Sequence, residues 1–343
     1  MKFIVGILLF CFIVFFHELG HFLLAKANHI RVNEFSIGFG PKLIHFKKGE
    51  TEYCLKLIPF GGSCMMEGEM EDSDDENSFN NASVWSRIAV VLAGPIFNLL
   101  LAYLLMVILF SFTGYDLPVI SEVSDGYPAK EAGLIAKDEI IKIDNHRMHF
   151  FRDVSVYLSE NEGEDVTVTF KRDGEIKEVV LTPKYDETQK RYFIGITNKE
   201  ASYHGNFFEN LEYGFFEVNF LAKNTVHGFG RLISGKESMD NMMGPVGIVD
   251  YVGDTYTEVK DQGSFVVVAN IVNILVILSA CIGIMNLMPF PALDGGRFLI
   301  YFVEALTGKK MPPKYEAVVN GAGFILLFSF LIFVTSHDVS KLF

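Results

Sequence analysis

The hydrophobic positions of this chain are gathered into four long runs. A helix that crosses a bilayer needs about 20 predominantly apolar residues. The runs are Phe3–Ala27, Ile88–Phe112, Phe265–Met288 and Val318–Val334. The pattern therefore predicts an α-helical polytopic membrane protein with four transmembrane helices.

The region between the second and third runs has a different pattern. From Val119 to Thr197, short β-rich runs alternate with turn residues, and one helical stretch, Arg152–Glu160, interrupts them. The predicted strands are Glu139–Ile143, Val166–Phe170, Glu175–Leu181 and Tyr192–Ile196. Together with the stretch from Tyr127 to Asp144, this pattern resembles an inserted α+β PDZ-like domain. Peptide binding and a purely structural role both fit it.

Two further segments have a clear periodicity. Residues 207–233 repeat apolar positions at helical spacing among charged ones, which predicts an amphipathic helix. This helix would lie on the outer membrane surface or pack on the PDZ-like domain. Residues Lys42–Ile58 alternate on both sides of a polar turn and predict a β-hairpin.

Basic residues mark two loops as cytoplasmic under the positive-inside rule. They are Lys26, Arg31, Lys42, Lys47 and Lys48 in the first loop and Arg297, Lys309, Lys310 and Lys314 in the other. Both termini and the PDZ-like domain are then extracytoplasmic. The acidic run Glu67–Glu76 predicts a solvated loop. The predicted parts are residues 1–115 (N-terminal membrane part), 116–200 (PDZ-like domain), 201–262 (amphipathic surface segment) and 263–343 (C-terminal membrane part).

Composition narrows the function classes. The net charge of −13 over 343 residues provides no basic stripe for nucleic acid. Lys2 precedes the first apolar run, as a basic residue does in a signal peptide, but no small-residue cleavage site follows the run. We therefore expect this run to be retained.

The first apolar run contains the sequence His17-Glu18-Leu-Gly-His21. Positions i and i+4 share one helix face, so both histidines can ligate one metal ion, with Glu18 beside it as a general base. Ionisable residues in a membrane span are costly and usually functional. The alternative is that they are polar residues without a role in an apolar helix.

A catalytic zinc site usually has three protein ligands and one open position. The cytoplasmic end of the third run reads Asn286-Leu-Met-Pro-Phe-Pro-Ala-Leu-Asp294-Gly-Gly, in which prolines break the helix and glycines permit close approach. Asp294 is therefore a candidate third ligand. From these residues alone, it is equally a candidate N-cap for a helix that begins near Arg297.

The two motifs together resemble the site-2 protease family, in the layout of its bacterial RseP-type members with one PDZ domain. Four further stretches carry the resemblance: Phe35–Pro41, Ile58–Gly62, Gly94–Asn98 and Gly244–Ile248. The chain departs from the pattern in one respect, since some family members have two PDZ domains in tandem.

The resemblance implies a set of site residues. His17, His21 and Asp294 would be Zn²⁺ ligands, and Glu18 would be the catalytic base. Asn98 and Asn286 would bind substrate, although asparagines in spans also simply bond neighbouring helices.

The implied function is an intramembrane zinc endopeptidase of the bacterial inner membrane. It would cleave transmembrane segments of single-span proteins, such as anti-sigma factors, or remnant signal peptides, through Glu-assisted attack of zinc-bound water. The hairpin edge would accept the unwound substrate as an extra strand, or be an ordinary cytoplasmic hairpin. Two alternatives are a membrane-anchored protease of soluble substrates and a non-catalytic scaffold that binds partners through its PDZ-like domain.

Overall fold

The computed structural model describes residues 2–69, 73–161, 163–187, 191–198, 202–235 and 243–341. In these residues the elements are, in order, α1 (Lys2–Ala27), β1 (Val32–Lys48), β2 (Thr51–Met66), α2 (Val84–Thr113), β3 (Glu122–Val123), α3 (Pro128–Glu131), β4 (Glu139–Ile143), β5 (His146–Arg147), α4 (Phe151–Glu160), β6 (Val166–Arg172), β7 (Glu175–Leu181), β8 (Lys184–Asp186), β9 (Arg191–Phe193), β10 (Ile196–Thr197), α5 (Phe207–Ile233), α6 (Pro245–Val259), α7 (Ser264–Leu287), α8 (Asp294–Thr307) and α9 (Pro313–Lys341). They form two compact units, one of Met1–Met106 with Glu217–Phe343 and one of Val107–Phe216.

Four helices in the described part of the chain are long and apolar enough to cross a membrane, as predicted. Their spans are Ile4–Ala27, Val84–Thr113, Ser264–Leu287 and Lys314–Lys341. The fourth extends beyond the predicted run at both ends. Long charged side chains near helix ends can reach the membrane surface, so charge at these positions does not end the helix.

β1 and β2 form the predicted antiparallel hairpin, which is longer than the sequence pattern indicated. Pairing continues from the turn at Gly49 to the pair of Val32 with Met66. The alternation of apolar and polar residues fails at Gly38 and Gly40, where positive φ angles of 84° and 87° bend β1.

The distal half of this hairpin exposes large apolar side chains. Leu43, Ile44, Phe46 and Leu57 are each more than half exposed. A cluster of exposed apolar side chains of this kind is typical of a surface that contacts a membrane or a partner. The fold is therefore an α-helical polytopic membrane protein with a membrane-associated β-hairpin and an inserted PDZ-like region.

In the second unit, the antiparallel sheet β5-β4-β6-β7 and helix α4 enclose an apolar core. A turn at Asp173-Gly174 joins β6 to β7, with φ angles of 52° and 88° as a type I′ turn requires. The single strand predicted for Tyr192–Ile196 is instead divided into β9 and β10. Gly195 lies between them with a φ of 83°, which interrupts the extended backbone.

The predicted amphipathic helix is α5, which runs from the second unit into the first. Near its start, the ring of Phe216 stacks on His149 of the PDZ-like region with centroids 3.6 Å apart. Further along, the Thr225 hydroxyl lies 3.4 Å from the Cys281 sulfur of α7. The first turns of α5 therefore pack on the PDZ-like region, and later turns pack on a membrane helix.

The loop between α7 and α8 is held by close backbone contacts. Ala292 has a φ of 73°, and its N–H donates to Asn320 Oδ1 of α9 at 3.2 Å. A Cβ on Gly295 would lie 2.3 Å from the Leu287 carbonyl oxygen, so only glycine fits there. The broken backbone between α7 and α8 is thus packed against protein.

The acidic run does not behave throughout as the predicted solvated loop. Residues 70–72 of it lie outside the described residues. Glu69, however, is largely buried, and its Oε1 lies 2.5 Å from Arg297 Nη1. The buried guanidinium requires a counter-charge, which draws this carboxylate out of solvent.

Candidate metal centre

Helix α1 brings the two histidines of its motif together on one face. His17 and His21 are four residues apart, and their Nε2 atoms are 3.3 Å from each other. The rings meet edge to face, with centroids 4.9 Å apart. The lone pairs of the two Nε2 atoms can therefore point at the same metal ion.

Asp294, the first residue of α8, joins them. Its Oδ2 lies 3.2 Å from His17 Nε2 and 3.5 Å from His21 Nε2. In a tetrahedral zinc site with bonds of about 2.0–2.1 Å, neighbouring donor atoms are about 3.3–3.4 Å apart. The three atoms therefore have the spacing that one zinc ion requires.

The carboxylate of Asp294 is otherwise unsatisfied in the described part of the chain. Its Oδ2 is buried and accepts no hydrogen bond. Helix α8 begins at Asp294 rather than near Arg297, with Leu293 as the N-cap residue. The geometry thus does not support the capping alternative, and a buried oxygen facing two histidines fits a cation.

The backbone fixes the tautomer of His21. Its Nδ1 lies 2.8 Å from the Val90 carbonyl oxygen of α2, which can only accept. The proton is therefore on Nδ1, and Nε2 keeps its lone pair on the side of Asp294. This is the usual support that a metal-binding histidine receives.

Asn98 has the corresponding position beside His17. This fully buried side chain places Nδ2 3.4 Å from His17 Nδ1, while its Oδ1 has no partner within the described residues. A half-turn of the carboxamide brings Oδ1 to the same place, where it accepts the His17 Nδ1–H. Asn286 is only partly buried and donates to the Ile282 carbonyl of its own helix at 3.1 Å.

Strand β2 runs directly past Glu18. A Cβ on Gly62 would lie 2.9 Å from Glu18 Cγ and 3.0 Å from Val14 Cγ1. Only a glycine allows the strand this close to α1. The hairpin and the candidate base are therefore in direct contact.

Glycines shape the contact between α1 and α2, which the sequence motifs did not indicate. A Cβ on Gly94 would lie 2.3 Å from His21 Nε2, and one on Gly20 would lie 2.4 Å from the Ala93 carbonyl oxygen. A glycine inside a helix costs about 1 kcal/mol relative to alanine. Because of that cost, the glycines at positions 20 and 94 of two apolar helices were the sequence signal that α1 and α2 approach each other closely.

We expect Gly94→Ala to lower zinc affinity by at least about tenfold, since the methyl group would displace the His21 ring. Zinc content after dialysis against a graded zinc buffer measures the effect. Gly228→Ala is the matched control, because a Cβ there would meet no atom within 4 Å. Equal zinc contents for the two variants would contradict this role of Gly94.

A second group of ligand-type side chains is accounted for without a metal. Glu34, Glu52 and Cys54 of the hairpin lie close together. Lys42 Nζ is 2.7 Å from Glu34 Oε2 and 2.6 Å from Glu52 Oε2. The lysine supplies the positive charge there, and we assign no ion to this group.

Comparison with known proteins agrees with the geometry. The family model described as peptidase family M50 matches residues 5–330. The chain belongs to peptidase family M50. Its relatives include a candidate zinc metalloprotease of Clostridium acetobutylicum, 38% identical over 98% of this chain and 96% of that protein. The regulator of sigma-W protease RasP of Bacillus subtilis is 29% identical over 98% of both chains.

Solved structures similar to part of this chain include the PDZ domain of an SdrC-like protein from Listeria monocytogenes. The two are 22% identical, the match covers 25% of this chain and 87% of that domain, and the TM-score is 0.22.

M50 peptidases are the site-2 proteases, so the resemblance seen in the sequence motifs is confirmed. The chain is a zinc metalloprotease of the membrane, and four helices of its described residues are long and apolar enough to cross a bilayer.

Proposed function

We propose that this chain cleaves transmembrane segments of single-span membrane proteins, or remnant signal peptides, inside the membrane. The observation that carries the proposal is the trio of His17, His21 and Asp294, whose donor atoms are 3.2–3.5 Å apart. Two of them lie in the spanning segment of α1. The name of the Bacillus subtilis relative supports a role in regulated proteolysis, as of anti-sigma factors.

In this proposal, His17, His21 and Asp294 hold Zn²⁺ and leave a fourth position open. When bound, the ion supplies a Lewis acid that polarises the scissile carbonyl and lowers the pKa of water to about 7. Glu18 takes a proton from the attacking water and returns it to the leaving amine. Asn98 keeps the ring of His17 in its binding orientation.

The substrate must unwind before its backbone can be attacked, and in lipid each bare backbone group costs several kcal/mol. We propose that the hairpin edge near Gly62 accepts the unwound segment as an added strand. The contact of this glycine with Glu18 supports the assignment, because it brings the edge to the base. The partly buried Asn286 remains a predicted substrate-binding side chain, whereas the fully buried Asn98 is assigned here to the support of His17.

The basic loops after α1 and around α8 support an orientation with these loops in the cytoplasm. Both termini and the PDZ-like region would then be outside, and the zinc site would lie near the cytoplasmic side of a bacterial inner membrane. A peptide ligand of the PDZ-like region is a further element of the proposal.

The decisive experiment is cleavage of a model single-span substrate by the purified chain in detergent. We expect loss of cleavage on treatment with 1,10-phenanthroline and recovery on addition of stoichiometric zinc. Mass spectrometry of the products should place the cut inside the apolar segment. A cut confined to the soluble flank would favour the membrane-anchored alternative, and no cleavage would favour the scaffold.

A further inference from the structure

A cavity of about 350 Å³ lies between α8, α9 and the loop that joins α7 to α8 and contains Ala292. Its lining residues combine small and apolar side chains with three charged ones. The wall is formed by Glu69, Ala292, Arg297, Glu316, Ala317, Asn320, Gly321 and Phe324. None of these residues has a role in the proposed chemistry.

The charged side chains of this cavity are paired with one another. Arg297 is paired with both carboxylates, through Nη1 to Glu69 Oε1 at 2.5 Å and Nε to Glu316 Oε1 at 3.4 Å. The Tyr301 hydroxyl also donates to Glu316 Oε1, at 2.7 Å. Among the described residues, two carboxylates therefore face one guanidinium at this cavity.

The two oxygens of Glu316 differ in their hydrogen bonds. Glu316 is only 8% exposed, yet its Oε2 accepts no hydrogen bond from the described residues. Glu69, in contrast, uses Oε2 to accept the Met66 N–H at 3.2 Å. The partners of Glu316 all bond Oε1, so its Oε2 is left available as an acceptor beside the cavity.

The cavity adjoins the proposed reaction centre. Ala292, in its wall, is two residues before Asp294, and Arg297 is one helical turn after it.

We propose that this cavity receives a lysine or arginine side chain that flanks the scissile segment of the substrate on its cytoplasmic side, with Glu316 Oε2 as its partner. The inference rests on the proposed function and its orientation. Single-span proteins and signal peptides carry basic residues at that flank. The wall of Ala317, Gly321 and Phe324 suits the aliphatic stem of such a side chain, whose charged end then reaches the carboxylate.

The test compares two single-span substrates that differ in one cytoplasmic flanking residue, lysine or glutamine. We expect the parent protein to cleave the lysine substrate with a kcat/KM about tenfold higher, as a hydrogen bond between charged groups can supply. Glu316→Gln should bring the ratio of the two values close to one. The glutamine keeps an acceptor for Tyr301 and Arg297, and zinc content checks that the variant is folded.

A second variant tests the volume of the cavity rather than the charge of Glu316. A Cβ on Gly321 would meet no atom within 4 Å, so Gly321→Leu should fill the cavity without disturbing α9. We expect it to raise KM for the lysine substrate and to lower the same ratio. Val318→Leu, at a largely exposed position of the same helix, should keep the parental ratio.

The outcomes separate this inference from the function on which it rests. A parental ratio near one, or a ratio unchanged by Glu316→Gln, would overturn the cavity assignment while cleavage itself stands. A preference that persists when the lysine is moved to the outer flank would overturn it as well. Absence of cleavage of both substrates by the parent would overturn the proposed function and this inference together.

Discussion

Replacing Glu18 with glutamine is expected to lower cleavage of a single-span substrate by about 10²–10⁴-fold, the usual contribution of a general base. Glutamine has the same shape and would keep the packing of this side chain against Gly62. It cannot take a proton from water at neutral pH. The loss should therefore appear in kcat, with little change in KM.

Zinc content separates loss of chemistry from loss of the site. Because Glu18 is not among the three grouped donors, Glu18→Gln should bind zinc as the parent does. Glu175→Gln, which alters an exposed side chain of the PDZ-like region, is the matched control and should cleave normally. A Glu18→Gln protein that cleaves at the parental rate would remove this residue from the mechanism and revive the scaffold alternative.

The membrane helices could be predicted from the sequence because lipid requires long uninterrupted apolar runs, and a run of that length is rare in a helix that packs in water. The amphipathic helix at residues 207–233 was equally clear, and α5 has these bounds. The hairpin was underestimated because Gly38 and Gly40 interrupt its alternation. A glycine in a strand can mark its end or a bend within it, and only the pairing distinguishes the two.

Within the candidate site, the sequence predicted the side chains but not their supports. His17, His21 and Asp294 were predicted by motif, and the fold brings them together. The hydrogen-bond partner of His21 is the backbone carbonyl of Val90. Every residue has such a carbonyl, so no residue type in the sequence could predict this contact. Contacts made by backbone atoms depend on which helices meet, which is a tertiary property.

The burial of Glu69 could not be predicted from the residues next to it in the sequence. In the sequence it belongs to an acidic run, and such runs are usually solvated. Its buried pairing depends on Arg297, which is distant in the chain and was assigned only to a cytoplasmic loop. Charge patterning describes the neighbours of a residue along the chain, whereas an ion pair in a packed interior depends on its neighbours in space.

The second large effect is expected for Asp294→Ala, which should lower zinc affinity by more than about a hundredfold and abolish cleavage. Substitutions that only orient a ligand already cost 10–100-fold, and this one removes a proposed ligand. Leu293 has the N-cap position of α8 and no side-chain hydrogen bond caps this helix, so the helix should persist without the Asp294 carboxylate. The variant is therefore expected to fold and to lack metal.

Thermal unfolding provides a measurement that does not depend on activity. Zinc binding to the folded state should raise the melting temperature of the parent with increasing zinc concentration, by mass action. Asp294→Ala should show almost no such rise, whereas Asp125→Ala, at an exposed position of the PDZ-like region, should behave as the parent. Asp294→Asn should fall between alanine and the parent, because an amide oxygen is a weaker ligand than a carboxylate. One zinc per chain in Asp294→Ala, with an unchanged melting response, would place the third ligand elsewhere, since the two histidines alone cannot complete a three-ligand catalytic site.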